Sequence, residues 1–191
     1  MMSEIIRWDT ELFLLLNNLG KEPMDAFWLM VSGTKIWIPL YALLVFLLFK
    51  ALKGHAIWIA ILIALANVFF TDFGSVWLFK EQFQRLRPCH VEALIDQMRM
   101  VKGSCGGQYG FISSHASNTF GIAVLIGLII YKKFPVALYL LIGWALLVSF
   151  SRIYLGVHYP LDVICGGLYG SMCGAMMYFL FSTISRRYEL A

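Results

Sequence analysis

The chain has 191 residues, 60% of them hydrophobic, and carries 15 Lys and Arg against 11 Asp and Glu, for a formal charge of +4. That composition, with a mean hydropathy of +0.76, excludes an ordinary water-soluble domain. The fold class it implies is all-α: a polytopic transmembrane helical bundle of about five long spans plus short N-terminal interfacial helices, in a single domain over 1–191.

Residues 1–34 are mixed in character. Ile5, Ile6, Trp8, Leu12, Phe13, Leu15 and Leu16 alternate with Glu4, Arg7, Asp9 and Glu11, a spacing that suits an amphipathic helix lying in the membrane interface. Asn17, Asn18, Gly20 and Pro23 break it, and a second short helix is predicted over 24–31. The apolar run 12–16 is too short, and too close to Glu11, for a cleavable signal peptide, so insertion is expected to use the spans themselves. A helical bundle over 35–185 follows, with apolar segments at 36–49, 56–79, 117–131, 134–150 and 161–181. A span needs roughly 20 apolar residues, which the second and fifth segments reach alone and the others reach with flanking residues. One sizeable loop, 87–112, separates the second span from the third, and Pro88, Gly103, Gly106, Gly107 and Gly110 argue against regular structure along all of it.

Lys50 and Lys53, Lys132 and Lys133, and Arg186 and Arg187 flank alternate helix ends, which assigns those ends to the cytoplasm. The other side carries Lys80, Arg85, Arg87, Arg99 and Lys102, read as partly functional charge, so the 87–112 loop is expected on the outside. Cys165 and Cys173 fall within the last span as small packing residues. Cys89 and Cys105 share the polar loop and are expected to form a disulfide if that loop faces the periplasm. Closing that loop would stabilise the fold by roughly 3 kcal/mol.

Alternation of the five spans brings Lys80, His115, Arg152 and Asp162 to one surface. Lys80 and Arg87 lie two helical turns apart and would share a face if the helix continued past the membrane to Pro88. They could be interfacial residues snorkelling to headgroups, or a fork and a point charge for a phosphate. Ser113 and Ser114 open the third span as candidate N-caps, and free N–H groups at such a helix start also favour an anion. His115 beside them could protonate a leaving oxygen. Arg152 at the apolar edge of the fourth span needs an anionic partner. Asp162, in the first turn of the fifth span, can reach back to His158, fixing its tautomer and favouring its charged form. The other ring nitrogen is then available to attack phosphorus. The plainer alternative makes Asp162 a helix starter and His158 a loop residue.

These residues make the chain resemble the type-2 phosphatidic acid phosphatase superfamily, the lipid phosphate phosphatases. The Lys-x6-Arg-Pro motif of that family is intact at Lys80, Arg87 and Pro88, and its Ser-Arg-x5-His-x3-Asp motif at Ser151, Arg152, His158 and Asp162. The middle (Pro)-Ser-Gly-His motif departs, with Ile112 in place of proline and Ser114 in place of glycine before His115. The resemblance implies that Lys80, Arg87 and Arg152 bind phosphate with help from Ser113 and the Ser114 amide. His158 would form a phosphohistidine, supported by Asp162, while His115 protonates the leaving group. No metal and no cofactor are expected, because the cations and a helix start offset the charge of the transition state.

The activity so implied is hydrolysis of a lipid phosphate or diphosphate, with undecaprenyl diphosphate as the first expectation. Phosphatidylglycerol phosphate, phosphatidate and lipid A phosphate are the alternatives. A non-catalytic anionic-lipid binder or transporter is more distant, since it would not need both histidines with Asp162. A vanadate-binding haloperoxidase shares the motifs, but the spans argue against it. The expected partners are the lipid substrate and the bilayer, with no nucleic acid; the sequence sets no oligomeric state. The expected location is the bacterial cytoplasmic (inner) membrane, with the site facing the periplasm.

Overall fold

The computed structural model describes residues 2–101 and 103–187, so Lys102 lies outside the described residues. Helix α1 (Met2–Asn18) leads through a 3-10 turn to α2 (Asp25–Ser32), and another 3-10 turn leads to α3 (Ile38–Ala51). Helix α4 (Ala56–Gly74) continues through a π-helical stretch, Ser75–Lys80, into α5 (Glu81–Phe83). The loop beyond holds a 3-10 turn at Pro88–His90 and the short α6 (Glu92–Ile95). Helices α7 (Ser114–Ile130), α8 (Pro135–Tyr154) and α9 (Pro160–Arg187) complete the order.

Among the described residues, three helices are long and apolar enough to cross a membrane: Ala56–Phe83, Pro135–Tyr154 and Pro160–Arg187. A fourth is formed if α2 and α3, bent by 66° at their break, count as one span. The protein is thus a multi-pass helical membrane protein, and two of the five expected spans differ: the first reaches span length only together with α2, and the third is short. Helix α7 is apolar but only 17 residues long, because Ser113 caps it at the start. It lies against α3, α4, α8 and α9 and buries residues all round, so its length is not fixed by contact with lipid.

Helix α9 packs closest on α7. At Gly170 an added Cβ would run into the Ser117 backbone, so only a residue without a side chain lets the two helices approach this near. The lipid side of α4 and of the π-helical stretch that continues it is a stripe of exposed Trp58, Leu62, Phe69, Phe73 and Trp77. At the end of the bundle opposite the motifs, Lys133 Nζ donates to the Lys50 carbonyl at 2.6 Å, so two of the basic turns adjoin.

Helix α1 presents the expected apolar face, with Ile6, Trp8, Leu12 and Leu15 exposed, while Asp9, Phe13 and Asn17 form its buried edge. Asn17 Nδ2 donates to the Ile153 and Tyr154 carbonyls at 3.2 and 2.9 Å, closing the end of α8. Its Oδ1 accepts from the Arg99 amide at 2.7 Å, tying down the loop. Arg99 also pairs with Asp25, and Cys89 is bonded to Cys105 with their Cα atoms 5.9 Å apart.

Candidate active site

The helix expected to carry both Lys80 and Arg87 does not reach Arg87. Gln84 takes a left-handed conformation (φ 46°), ending α5 well before Pro88, which instead opens a 3-10 turn. Arg87 then sits on an extended segment that pairs with the far end of the loop. Leu86 bridges Tyr109, the Arg87 amide donates to the Gln108 carbonyl at 3.2 Å, and the Gly110 amide donates to the Arg85 carbonyl at 2.8 Å. Arg87 Nε donates to the Tyr109 carbonyl at 3.2 Å, which aims the rest of the guanidinium inward. Turn and bridge, rather than helical periodicity, bring the two cations to one site.

Lys80 Nζ donates to Ser114 Oγ at 2.6 Å, and that hydroxyl also meets Ser75 Oγ at 2.6 Å. The Ser114 side chain thus orients the ammonium, a use that a glycine at this position could not supply. Ser113 is fully buried, caps α7 by accepting from the Ala116 amide at 3.5 Å, and donates its own amide to the Asp162 carbonyl at 2.9 Å. Arg152 is 4% exposed; Nη1 bonds Ser32 Oγ, and Nε has no hydrogen-bond partner among the described residues. A buried guanidinium with an unfilled donor is a ready anion ligand.

His158 is 2% exposed and stands between two groups of opposite charge. Nδ1 faces Asp162 Oδ2 at 3.4 Å and Nε2 faces Arg87 Nη1 at 3.5 Å. Because a guanidinium only donates, Nε2 is the acceptor and Nδ1 carries the proton towards Asp162. The carboxylate of Asp162, expected to favour a charged imidazole, is outweighed here. Burial, then Arg87, Arg152 and Lys80, hold His158 well below its ordinary range, against the Gly110 backbone. The ring is a neutral base with its lone pair turned to the cations.

Lys80, Arg87, Ser114, His115, Arg152 and His158 line one cavity of about 690 Å³. Ser113 and Asp162 stand behind its wall. From this charged end the cavity runs along α3, α4, α7 and α8 past Trp37, Leu44, Ile61, Ala64, Ile122 and Ile126, an apolar lining. Sequence reasoning passed over Asp72, a carboxylate within the second apolar segment that lines the cavity and accepts from Asn118 Nδ2 at 3.1 Å. A charge inside a span was itself the available signal. Arg85, read in the sequence only as part of the partly functional outward charge, donates to Asp162 Oδ1 at 2.9 Å and to Asp9 Oδ2 at 2.6 Å. Among the described residues, no group of three or more His, Cys, Asp or Glu is placed to hold a metal ion.

A membrane bundle that gathers three cations and two histidines at the head of an apolar channel fits the class of integral membrane lipid phosphatases. The chain belongs to the PAP2 superfamily, whose family model matches residues 55–186, and is a phosphoric ester hydrolase of that family. It is 32% identical over 183 residues to the lipid A 4'-phosphatase of Bacteroides thetaiotaomicron, spanning 95% of this chain and 80% of that protein. With the lipid A 4'-phosphatase of Porphyromonas gingivalis it shares 35% over 180 residues, 93% of this chain and 74% of that one. An undecaprenyl-diphosphatase of Sulfolobus acidocaldarius is 32% identical over 172 residues, 87% of this chain and 75% of that protein. The fold is shared with Aquifex aeolicus LpxE (TM-score 0.63, 24% identity, 88% of this chain and 93% of that one). It is also shared with a phosphatidylglycerolphosphate phosphatase of Bacillus subtilis (TM-score 0.68, 17% identity, 96% and 87%).

Proposed function

We propose that this protein removes the 4'-phosphate of lipid A through a phosphohistidine on His158, at the periplasmic face of the bacterial inner membrane. The observation that carries the chemistry is His158 Nε2, 3.5 Å from Arg87 Nη1, in a cavity wall shared with Lys80, Arg152 and His115. Nε2 attacks phosphorus as the phosphorus–oxygen bond to the sugar breaks, and His115 gives its proton to the departing oxygen. Water then attacks the phosphohistidine, losing its proton to His115, and inorganic phosphate leaves. Lys80, Arg87 and Arg152 offset the charge on the phosphoryl oxygens in both steps, so the mechanism needs no metal. The apolar arm of the cavity suits a substrate that keeps its tails in the bilayer.

The first expectation, undecaprenyl diphosphate, gives way to lipid A because two lipid A 4'-phosphatases each match at least 93% of the chain. The outward orientation is supported by the adjoining basic turns at Lys50 and Lys133 on the far end, and by the Cys89–Cys105 bond on the near end. Phosphate release by the purified full chain tests the reading, using lipid A, undecaprenyl diphosphate, phosphatidylglycerol phosphate and phosphatidate, each with and without EDTA. The highest kcat/KM is expected on lipid A, with no effect of EDTA. A higher kcat/KM on undecaprenyl diphosphate would return the assignment to the first expectation.

A further inference from the structure

The family match begins at residue 55, yet one carboxylate wired to the proposed nucleophile comes from α1. Asp9 is 4% exposed on a helix whose Trp8 and Leu12 are 58% and 43% exposed. A carboxylate turned into the protein from a lipid-facing helix must find donors. Asp9 Oδ2 accepts from Arg85 Nη2 at 2.6 Å, and Asp9 Oδ1 accepts from the Leu161 amide at 2.9 Å. Arg85 Nη1 donates to Asp162 Oδ1 at 2.9 Å. Asp9 therefore holds both the backbone next to Asp162 and the guanidinium that holds its side chain. Asp162 Oδ2 accepts from the Tyr159 amide at 3.0 Å and faces His158 Nδ1 at 3.4 Å. The guanidinium also lies over the Tyr159 ring, 3.9 Å from its centroid, which limits its rotation.

We infer that Asp9 and Arg85 are positioning residues for phosphoryl transfer: through Asp162 they set the ring of His158, so α1 belongs to the active site. The inference rests on His158 as nucleophile. Neither residue lines the cavity, so neither is placed to touch substrate. A pair that only docked α1 would change stability and leave turnover alone. A pair that aims the nucleophile changes kcat while leaving the affinity for an oxyanion held by Lys80, Arg87 and Arg152.

The test uses the full chain in detergent, with wild type, Asp9→Asn, Arg85→Gln, Arg85→Lys, the Asp9→Asn/Arg85→Gln double variant and His158→Gln. Each is measured for kcat, KM, inhibition by inorganic phosphate and thermal midpoint. Arg85→Gln is expected to lower kcat about 100-fold and Asp9→Asn about tenfold, as for a misaimed reacting group. KM and the inhibition constant of inorganic phosphate should stay within about twofold, since the oxyanion ligands are untouched. The double variant should be no slower than Arg85→Gln, and Arg85→Lys should recover part of the rate. Asp9→Asn keeps an oxygen for the Leu161 amide, so it decides the matter if Arg85→Gln does not fold. Unchanged kcat with a lowered midpoint, affinity for inorganic phosphate lost in step with kcat, or additive losses in the double variant would each overturn the inference. Turnover surviving in folded His158→Gln would instead sink the nucleophile reading on which it rests.

Discussion

At the residue scale, the protonation of His158 has a consequence for stability as well as for chemistry. Unfolded, an imidazole titrates near 6.5; folded, burial and three cations hold His158 well below that value. Below pH 6.5 the unfolded chain therefore binds a proton that the folded chain refuses, and stability falls with pH by up to about 1.4 kcal/mol per pH unit. Above 6.5 both states are neutral and the contribution is complete. His158→Gln should abolish turnover and flatten the melting curve between pH 7 and pH 5, read as the difference in midpoint from wild type. Equal slopes in the two proteins would refute the neutral imidazole. His115 is separable from it by leaving group. An acid matters most when an alkoxide departs, so His115→Ala should lower kcat/KM on an alkyl phosphate about 100-fold or more and on a nitrophenyl phosphate far less. Equal losses would mean that His115 does not act as the acid. The histidines, Lys80, Arg87, Arg152 and Asp162 were legible because their spacings repeat a pattern. Arg85 was hidden inside the spacing between Lys80 and Arg87, and Asp9 sits on an element to which no spacing rule connects it.

At the element scale, the sequence showed where most of the apolar helices lie and misjudged how they end and meet. Gln84 gives no conventional stop signal, yet it takes the left-handed turn that sends Arg87 back across the loop to Tyr109. That turn depends on pairing with residues more than twenty positions away, which local propensity does not encode. Span length was likewise read as a demand of the bilayer, whereas α7 answers to the helices around it. The small residues of α9 were part of an apolar segment in sequence; only their contact with α7 shows why they are small. Gly170→Val is expected to destabilise the bundle by about 1–3 kcal/mol or more, since backbone rather than a flexible side chain stands in the way. A Cβ at Gly143, in α8, would meet open space. Gly143→Ala should be neutral or stabilise by up to about 1 kcal/mol. Thermal midpoints of the two variants in one detergent decide it, and a Gly170→Val protein as stable as wild type would show that α7 and α9 do not need their close approach.

At the scale of the whole molecule, three structural ion pairs occupy two of the basic residues that the sequence places on the outward side. Arg85 pairs with Asp9 and Asp162, and Arg99 with Asp25, so both guanidiniums are held by carboxylates beside the anion site. What the sequence could not display was the cavity, because its walls come from α3, α4, α7 and α8 and its apolar residues look like any core. Ala64 lines it sixteen residues before Lys80, about 24 Å along the helix axis at 1.5 Å per residue. A side chain there can meet a lipid tail but not the phosphate. Ala64→Trp should therefore lower kcat/KM for a long-tailed lipid phosphate at least about tenfold relative to a short-chain phosphate of the same headgroup, the cost of losing several buried methylenes at about 0.8 kcal/mol each. The ratio of the two specificity constants is the measurement, because it cancels any general loss of folded protein. If long and short substrates suffer alike, the tails do not occupy this arm, and they must leave the site directly into the surrounding lipid.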